Sequence, residues 1–146
     1  MIDCFEQIES VVAKVAGKCL KTKVFKGVMI VKGWGQEEKD DEGCFFPVLK
    51  VPPYIEIVAN QSFPDLTQAM RDVTVRVTLE TCQDEGPGCH SRRESSLGEK
   101  LCGITREESN AVSRWRWEAS RFNTEEGNYQ SEFTATVRLE DSCYEC

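Results

Sequence analysis

The chain has very little histidine, since His90 is the only one among its 146 residues. Histidine is the side chain whose charge changes near neutral pH, so such a chain has few ways to perform general acid–base catalysis. Glycine-rich phosphate loops are also missing, because neither G-x-x-x-x-G-K-[ST] nor G-x-G-x-x-G occurs. These absences argue against a nucleotide-dependent enzyme and predict a protein with no catalytic residues and no cofactor.

Long apolar runs are absent too. The longest is VMIV at residues 28–31, far short of the roughly 18 residues that cross a membrane. The opening residues, MIDCFEQIES, are acidic and contain no apolar stretch of the length that a secretory signal needs. We therefore expect a protein without membrane contact that stays in the cytoplasm or in an assembly made there.

The composition indicates one globular domain spanning residues 1–146. Hydrophobic residues make up 40% of the chain, which is enough for a core. With 29% charged residues, the composition is that of a globular protein and not of a fibrous one. The formal net charge is −7. An acidic surface of this kind keeps a protein soluble and does not attract nucleic acid through counterion release.

The eight cysteines raise the question of a metal or disulfide framework. In the cytoplasm thiols stay reduced, so we expect most of them to pack as small hydrophobes, with some disulfides or a metal site as alternatives. The C-x-x-C pair Cys143 and Cys146 ends the sequence, and Cys82 and Cys89 are too far apart for a usual zinc knuckle. Cys89 also precedes His90 directly, and adjacent side chains point in different directions. The spacing predicts no metal site and no cysteine–histidine nucleophile.

Hydrophobic periodicity predicts the elements of the first half. Apolar residues at three- and four-residue steps predict a helix over 2–19. β-branched and aromatic residues predict strands over 22–32, 44–51 and 54–59, the second confined by Pro47 to an edge or a bulge. The cleanest alternation, in DVTVRVTLE (72–80), predicts a strand buried on one face.

The second half begins with turn residues at 81–88. A helix is expected to start at Ser91, because Ser91 and Glu94 have the spacing of a capping box, and Gly103 is a candidate for its end. A terminal hairpin follows, with strands over 113–120 and 132–140.

In that hairpin, RWRW places Trp115 and Trp117 on one face of the strand and two arginines on the other. Arginine interleaved with tryptophan also occurs where single-stranded nucleic acid binds, but the strand period favours a core face with a solvated back. The sum of the elements predicts an α+β fold, a largely antiparallel sheet packed against two helices.

Two polar segments are expected to be mobile: a charged loop over 35–43 and the C-terminal tail over 141–146. The loop is framed by glycines and lacks the alternating acidic spacing of an EF-hand, so calcium binding is not expected. It is the candidate partner-contact loop, formed by Gln36, Glu37, Glu38, Lys39, Asp40, Asp41 and Glu42.

The order of these elements resembles the tail terminator and minor tail, or tail completion, proteins of long-tailed bacteriophages. The resemblance covers about residues 2–141 and depends on element order with a few characteristic residues. An N-terminal helix and a strand hairpin precede PPYIEIVA, VTVRVTLET, an acidic turn with a histidine, SRRESSLGEKL, and a hairpin of SRWRWEAS and EFTATVRLE. The cysteine content and the terminal C-x-x-C depart from that pattern.

The resemblance implies a non-enzymatic virion protein that forms a ring, as a homohexamer, on the end of the tail tube. Its implied partners are further copies of itself, the tail tube protein and a head or neck connector, while genomic DNA passes through the lumen without specific binding. An acidic channel wall would repel the passing phosphates. The alternatives are another neck protein, such as a stopper or adaptor, and a small cytosolic metal or redox protein that uses Cys143 and Cys146.

Overall fold

A computed structural model describes residues 5–33, 37–39, 45–47, 51–61, 72–107, 112–123 and 127–138. The elements in these ranges are α1 (Phe5–Cys19), β1 (Met29–Lys32), β2 (Glu37–Lys39), β3 (Phe45–Pro47), β4 (Tyr54–Gln61), β5 (Asp72–Thr81), α2 (Pro87–Glu107), β6 (Arg116–Asn123) and β7 (Asn128–Arg138). Short 3₁₀ turns, Lys23–Phe25 and Gln83–Glu85, precede β1 and α2.

Five of the strands form one sheet in the order β1-β4-β5-β7-β6. β1 runs parallel to β4, and the other three pairings are antiparallel. α1 packs on β1 and β4, while α2 packs on β5 and β7. The α+β prediction, a largely antiparallel sheet packed against two helices, is confirmed.

The centre of the sheet is β5, where the predicted alternation is fully realised. Val73, Val75, Val77 and Leu79 are 0% exposed. Each such side chain stabilises the fold by about 1.5–3 kcal/mol relative to an exposed position. β5 has a strand on each side, and α1 and α2 both pack against it. The core therefore lies between the sheet and the two helices.

α1 is amphipathic as predicted. Ile8, Val12 and Ala16 are fully buried against the sheet, and Lys14 and Lys18 lie on the exposed side of the helix. The first four residues of the chain lie outside the described part, so the predicted start at residue 2 stays a prediction.

The predicted strand over 22–32 is wrong in its first half. Lys23–Phe25 forms a 3₁₀ turn, and Gly27 then adopts a φ of 80°, which interrupts extended backbone. Phe25 is buried in the core, and the carbonyl of Val24 accepts hydrogen bonds from α2. These tertiary contacts outweigh the β propensity of Val24 and Phe25.

The predicted start of the second helix is also wrong. α2 begins at Pro87, whose fixed φ and missing N–H suit the first helical position. The capping box lies earlier, where the Cys82 N–H donates to the Glu85 carboxylate over 3.2 Å. Ser91 is exposed within the helix, and Glu94 interacts with the sheet instead of closing a capping box.

Gly103 does not end α2, which continues to Glu107. The residue after this glycine, Ile104, is 2% exposed and packs in the core, which holds the last turn in place. Burial therefore outweighs the weak helix propensity of glycine here.

The terminal hairpin is confirmed with shifted strands, β6 and β7, and Leu139 and Glu140 lie outside the described residues. Trp117 pairs with Phe133 and so lies on the core face, yet it is 55% exposed. The prediction that Trp117 belongs to the core is wrong, because β6 is an edge strand beyond the cover of α2. Trp115 is partly buried and packs against the core.

The charged segment 35–43 is not a loop throughout. Glu37–Lys39 forms β2, which pairs antiparallel with β3 in a separate two-stranded sheet. Backbone pairing with Phe45–Pro47 overrides the polar sequence, and Pro47 lies on an edge as predicted. The predicted tail over 141–146 falls outside the described residues.

Glu9 is a fully buried carboxylate that completes the sheet where β1 stops. Its Oε2 accepts a hydrogen bond from the Ala59 N–H over 2.8 Å. We expect Glu9→Ala to lower the free energy of unfolding by about 1–3 kcal/mol, because a buried N–H would lose its acceptor. Urea unfolding checks this, with the exposed neighbour variant Ser10→Ala as the control. Equal stability of the two variants would contradict it.

Candidate functional site

The single histidine lies in a polar cluster between the first turns of α2 and the ends of β5 and β7. His90 is 1% exposed. Its Nδ1 lies 2.8 Å from the Thr81 hydroxyl and its Nε2 lies 2.7 Å from the Ser131 hydroxyl. The ring of Tyr129 stacks on the imidazole at 5.9 Å between centroids. Both ring nitrogens therefore have partners from neighbouring strands.

Arg93 lies three residues after His90 on α2 and is equally buried, at 1% exposure. Its Nε donates to the Val24 carbonyl over 2.6 Å, and its Nη1 and Nη2 donate to the two oxygens of Glu85 over 3.0 and 2.5 Å. This bidentate hydrogen bond holds the pKa of Glu85 below its usual value. Arg93 thus ties the turn before β1 to the turn before α2.

The hydrogen-bond partners define one direction through the cluster. The Ser131 hydroxyl donates to Glu94, so its oxygen accepts from the Nε2–H of His90. Nδ1 then accepts from the Thr81 hydroxyl, whose oxygen accepts from Arg93 over 3.3 Å. The hydrogen bonds therefore run in one direction, from the Arg93 guanidinium through the neutral His90 imidazole to the Glu94 carboxylate.

Burial lowers the pKa of His90, and the Arg93 charge acts in the same direction, while Glu94 opposes both. The neutral ring required by the hydrogen-bond chain is therefore the form that the surroundings favour. His90 and Ser131 are each 1% exposed, while the Glu94 side chain keeps 11% exposure and lines the groove described below. The cluster acts as a clamp between α2 and the sheet.

Cys89 and His90 point to different partners, as their adjacency predicted. The Cys89 thiol lies 3.9 Å from the Val24 carbonyl, while the imidazole contacts β5 and β7. Cys19, Cys82, Cys89 and Cys102 are free thiols. Within the ranges described above, no group of three or more His, Cys, Asp or Glu side chains is placed to hold a metal ion. The other four cysteines, including Cys143 and Cys146, lie outside those ranges.

An open groove lies beside this clamp, between α2 and the edge strand β6. The cavity has a volume of about 270 Å³ and we call it the tryptophan groove; it is lined by Glu94, Ser95, Gly98, Glu99, Cys102, Trp115, Trp117 and Phe133. Gly98 allows the close approach of the Phe133 ring, because a Cβ there would lie 3.3 Å from its Cε1. The groove combines aromatic walls with an acidic rim formed by Glu94 and Glu99.

A second cavity, of about 530 Å³, lies at the same end of the sheet. It is lined by Thr74, Ser113, Arg114, Trp115, Arg116, Thr134, Ala135 and Thr136. The threonines belong to the polar face of β5 and β7, and Arg114 and Arg116 are exposed. The arginines of RWRW therefore line a polar cavity, and Trp117 lines the tryptophan groove. This end of the molecule has a polar surface on one face of the sheet and an aromatic surface on the other.

A basic surface lies on α1, which packs beside α2, and on the connection to β1. Its five exposed lysines are Lys14, Lys18, Lys21, Lys23 and Lys26, and we call it the lysine surface. Sequence reasoning missed it, although a signal exists: no aspartate or glutamate occurs between Glu9 and Glu37. Averaging the charge over an acidic chain concealed this local excess.

The predicted partner-contact segment is only partly visible. Glu37, Glu38 and Lys39 form β2, while Gln36 and residues 40–42 lie outside the described residues. Its role in partner contact remains a prediction.

Comparison with known proteins gives no assignment: no model of a known protein family matches the chain, and no curated protein matches it. In the described part of the chain, neither helix has the length and apolar character that crossing a membrane requires.

Proposed function

We propose that this chain is a non-enzymatic virion protein, a bacteriophage tail terminator that forms a ring on the tail tube and joins it to the head or neck. The observation that carries the proposal is the tryptophan groove at the edge of the sheet. Trp117 is 55% exposed there. A large aromatic side chain exposed beside an edge strand is a candidate contact with another protein.

The inward-facing chemistry supports the same proposal. His90, Arg93 and Ser131, the side chains best suited to catalysis, are each 1% exposed and are engaged in the clamp. An aromatic groove with a carboxylate rim is accessible beside α2. Aromatic side chains are enriched at protein–protein interfaces, so this groove suits contact with a protein partner.

Ring formation follows from a contact between two different surfaces of identical chains. A head-to-tail contact of this kind closes into a ring when the rotation per subunit permits it. The element order that resembles tail terminators favours a hexamer, with the tube protein and a neck connector as the outer partners. The chain carries a net charge of −7, and a lumen with an acidic wall would repel passing DNA rather than bind it.

The segment Gln36–Glu42 is the proposed contact with a neighbouring copy or the tube. Because Glu37–Lys39 is paired as β2, a test should remove charge and keep the backbone. We expect a variant with its five carboxylates changed to amides to stay folded and to assemble at least several-fold more weakly. Light scattering and circular dichroism measure the two properties. A loss of folded structure would instead make the segment structural.

A further inference from the structure

The chain enters β6 through an irregularity in its pairing with β7. The Ser113 N–H donates to the Thr136 carbonyl over 2.8 Å, and Arg116 pairs with Thr134. The two residues between Ser113 and Arg116 therefore lie opposite a single residue of β7, which is the arrangement of a β-bulge. In a regular strand, residues three positions apart face opposite sides of the sheet. The bulge instead allows Ser113 and Arg116 both to face its polar side.

The cavity of about 530 Å³ lies at this bulge, and we call it the arginine cavity. Its volume falls within the range of small-molecule sites, about 300–1,000 Å³. Thr74, Thr134 and Thr136 supply hydroxyl groups from β5 and β7, and Ser113 supplies another. Among the residues that the structure describes, no carboxylate lines it. The polar side chains of its wall are all able to donate hydrogen bonds.

Two positive charges at this cavity are not compensated. Arg114 and Arg116 are exposed, and neither guanidinium has an ion-pair or hydrogen-bond partner in the described part of the chain. Arg76 provides the contrast, because its Nε donates to the Glu132 carboxylate over 2.9 Å. Arg76 and Arg116 flank Thr134 in one row across the sheet. Equivalent arginines in one row therefore differ in whether the fold already pairs them.

A further donor at the arginine cavity has no acceptor. Trp115 lines the cavity, and the buried Nε1–H of its indole has no hydrogen-bond partner. Buried polar groups are almost always paired, so an unpaired one in a native protein calls for a bound water, ion or ligand. A ligand that brings acceptor oxygens to this wall would pair the indole as well as the arginines.

This set of donors suits a phosphate group. Arginine binds phosphate oxygens in a bidentate geometry with charge-assisted hydrogen bonds, and serine and threonine hydroxyls add further ones. A long polyanion such as nucleic acid is disfavoured by the net charge of −7. A small molecule that carries one phosphate group fits the volume of the cavity and meets less repulsion.

We propose that the arginine cavity binds the phosphate group of a small phosphorylated molecule. Arg114 and Arg116 neutralise the phosphate, while the hydroxyl groups and the Trp115 indole orient it. This inference does not rest on the proposed function, because the site lies within one chain and is complete in a monomer.

The first test titrates the whole chain with ribose 5-phosphate at about 0.1 M salt, where the arginines are only partly screened. We expect a dissociation constant below about 1 mM by calorimetry, and no binding of ribose itself. In the ¹H–¹⁵N spectrum, binding should shift the indole signal that is missing from Trp115→Phe. An absence of heat and of any shift at about 10 mM ribose 5-phosphate would overturn the proposal.

The matched control separates the cavity from general charge. Arg116→Ala should weaken binding at least tenfold, because charge-assisted hydrogen bonds are lost. Arg76→Ala removes the same charge from the same row and should weaken binding less than about threefold. Arg116→Lys keeps the charge without the bidentate geometry and should fall between them. Thermal unfolding checks that each variant is folded. Equal losses in Arg116→Ala and Arg76→Ala would contradict a site built at the bulge.

Two further probes test the class of ligand. If the dicarboxylate glutarate binds as tightly as ribose 5-phosphate, the cavity does not recognise phosphate and the proposal is wrong. If a single-stranded oligonucleotide of about ten bases binds at least tenfold more tightly and loses that affinity in Arg116→Ala, the surface belongs to nucleic acid instead. Binding of ribose 5-phosphate by a chain that stays monomeric would support this site while contradicting the ring.

Discussion

Replacing Arg93 with alanine lowers the free energy of unfolding by about 3 kcal/mol, the lower end of the range for breaking a buried ion pair. The lower end applies because the Glu85 side chain keeps 25% exposure and regains some hydration. The Val24 carbonyl and the Glu85 carboxylate both lose a donor from Arg93. Urea unfolding of the two proteins measures the difference.

The neighbouring arginine provides the control for this prediction. Arg92 is exposed and donates only to the Gly88 carbonyl of its own helix over 3.3 Å. Arg92→Ala should therefore change the free energy of unfolding by less than about 0.5 kcal/mol. If the two variants are equally stable, Arg93 does not hold the turns before β1 and α2 together.

Acidification from pH 7 destabilises the protein through His90, which is the second large effect. Its folded pKa lies below the ordinary value of 6.5, chiefly because of burial. The unfolded chain therefore binds a proton first as the pH falls, and stability declines between 6.5 and the folded pKa. One such group contributes at most about 1.4 kcal/mol per pH unit.

The variant His90→Gln isolates this effect. Glutamine does not titrate, so we expect a lower stability at pH 7 and a much smaller change on acidification to pH 5. The lowered pKa of Glu85 does not confuse the comparison, because its contribution is lost only below its ordinary value of 4.5. Urea unfolding at pH 7, 6 and 5 measures both curves. Parallel curves would show that His90 does not cause the loss.

The sequence predicted the elements whose own residues determine them. Apolar and polar residues alternate from Val73 to Leu79, and this local pattern alone predicts a strand. In the fold that strand is β5, which pairs with β4 and β7. The start of α2 at Pro87 was not predicted, because Ser91 and Glu94 have the spacing of a local capping box. In the fold, Glu94 instead accepts a hydrogen bond from Ser131, 37 positions away. Val24 and Phe25 look like a strand, but buried contacts with α2 bend them into a turn. Errors occurred where a distant partner outweighs a local preference.

The functional surfaces show the same division. The clamp joins His90 to Ser131, 41 positions away, and no spacing rule connects them. Trp117 has the same period as a core residue, and only the order of the strands reveals that it lies at an uncovered edge. The lysine surface, by contrast, was present in the sequence as a stretch of 27 residues without an acidic side chain, from Ser10 to Gln36.

Together these features describe a domain with a buried polar cluster and two chemically different exposed surfaces. The clamp of Arg93, His90 and Ser131 fixes α2 on the sheet and so fixes one wall of the tryptophan groove. A rigid groove loses little conformational freedom on binding, which favours ordered assembly.

The most direct test is the mass of the purified chain, measured by light scattering across a hundredfold range of concentration. We expect monomers of 16.6 kDa to give way to one closed species, at about 100 kDa for six copies. A mass that stays at one chain, or that rises without limit, would contradict a ring.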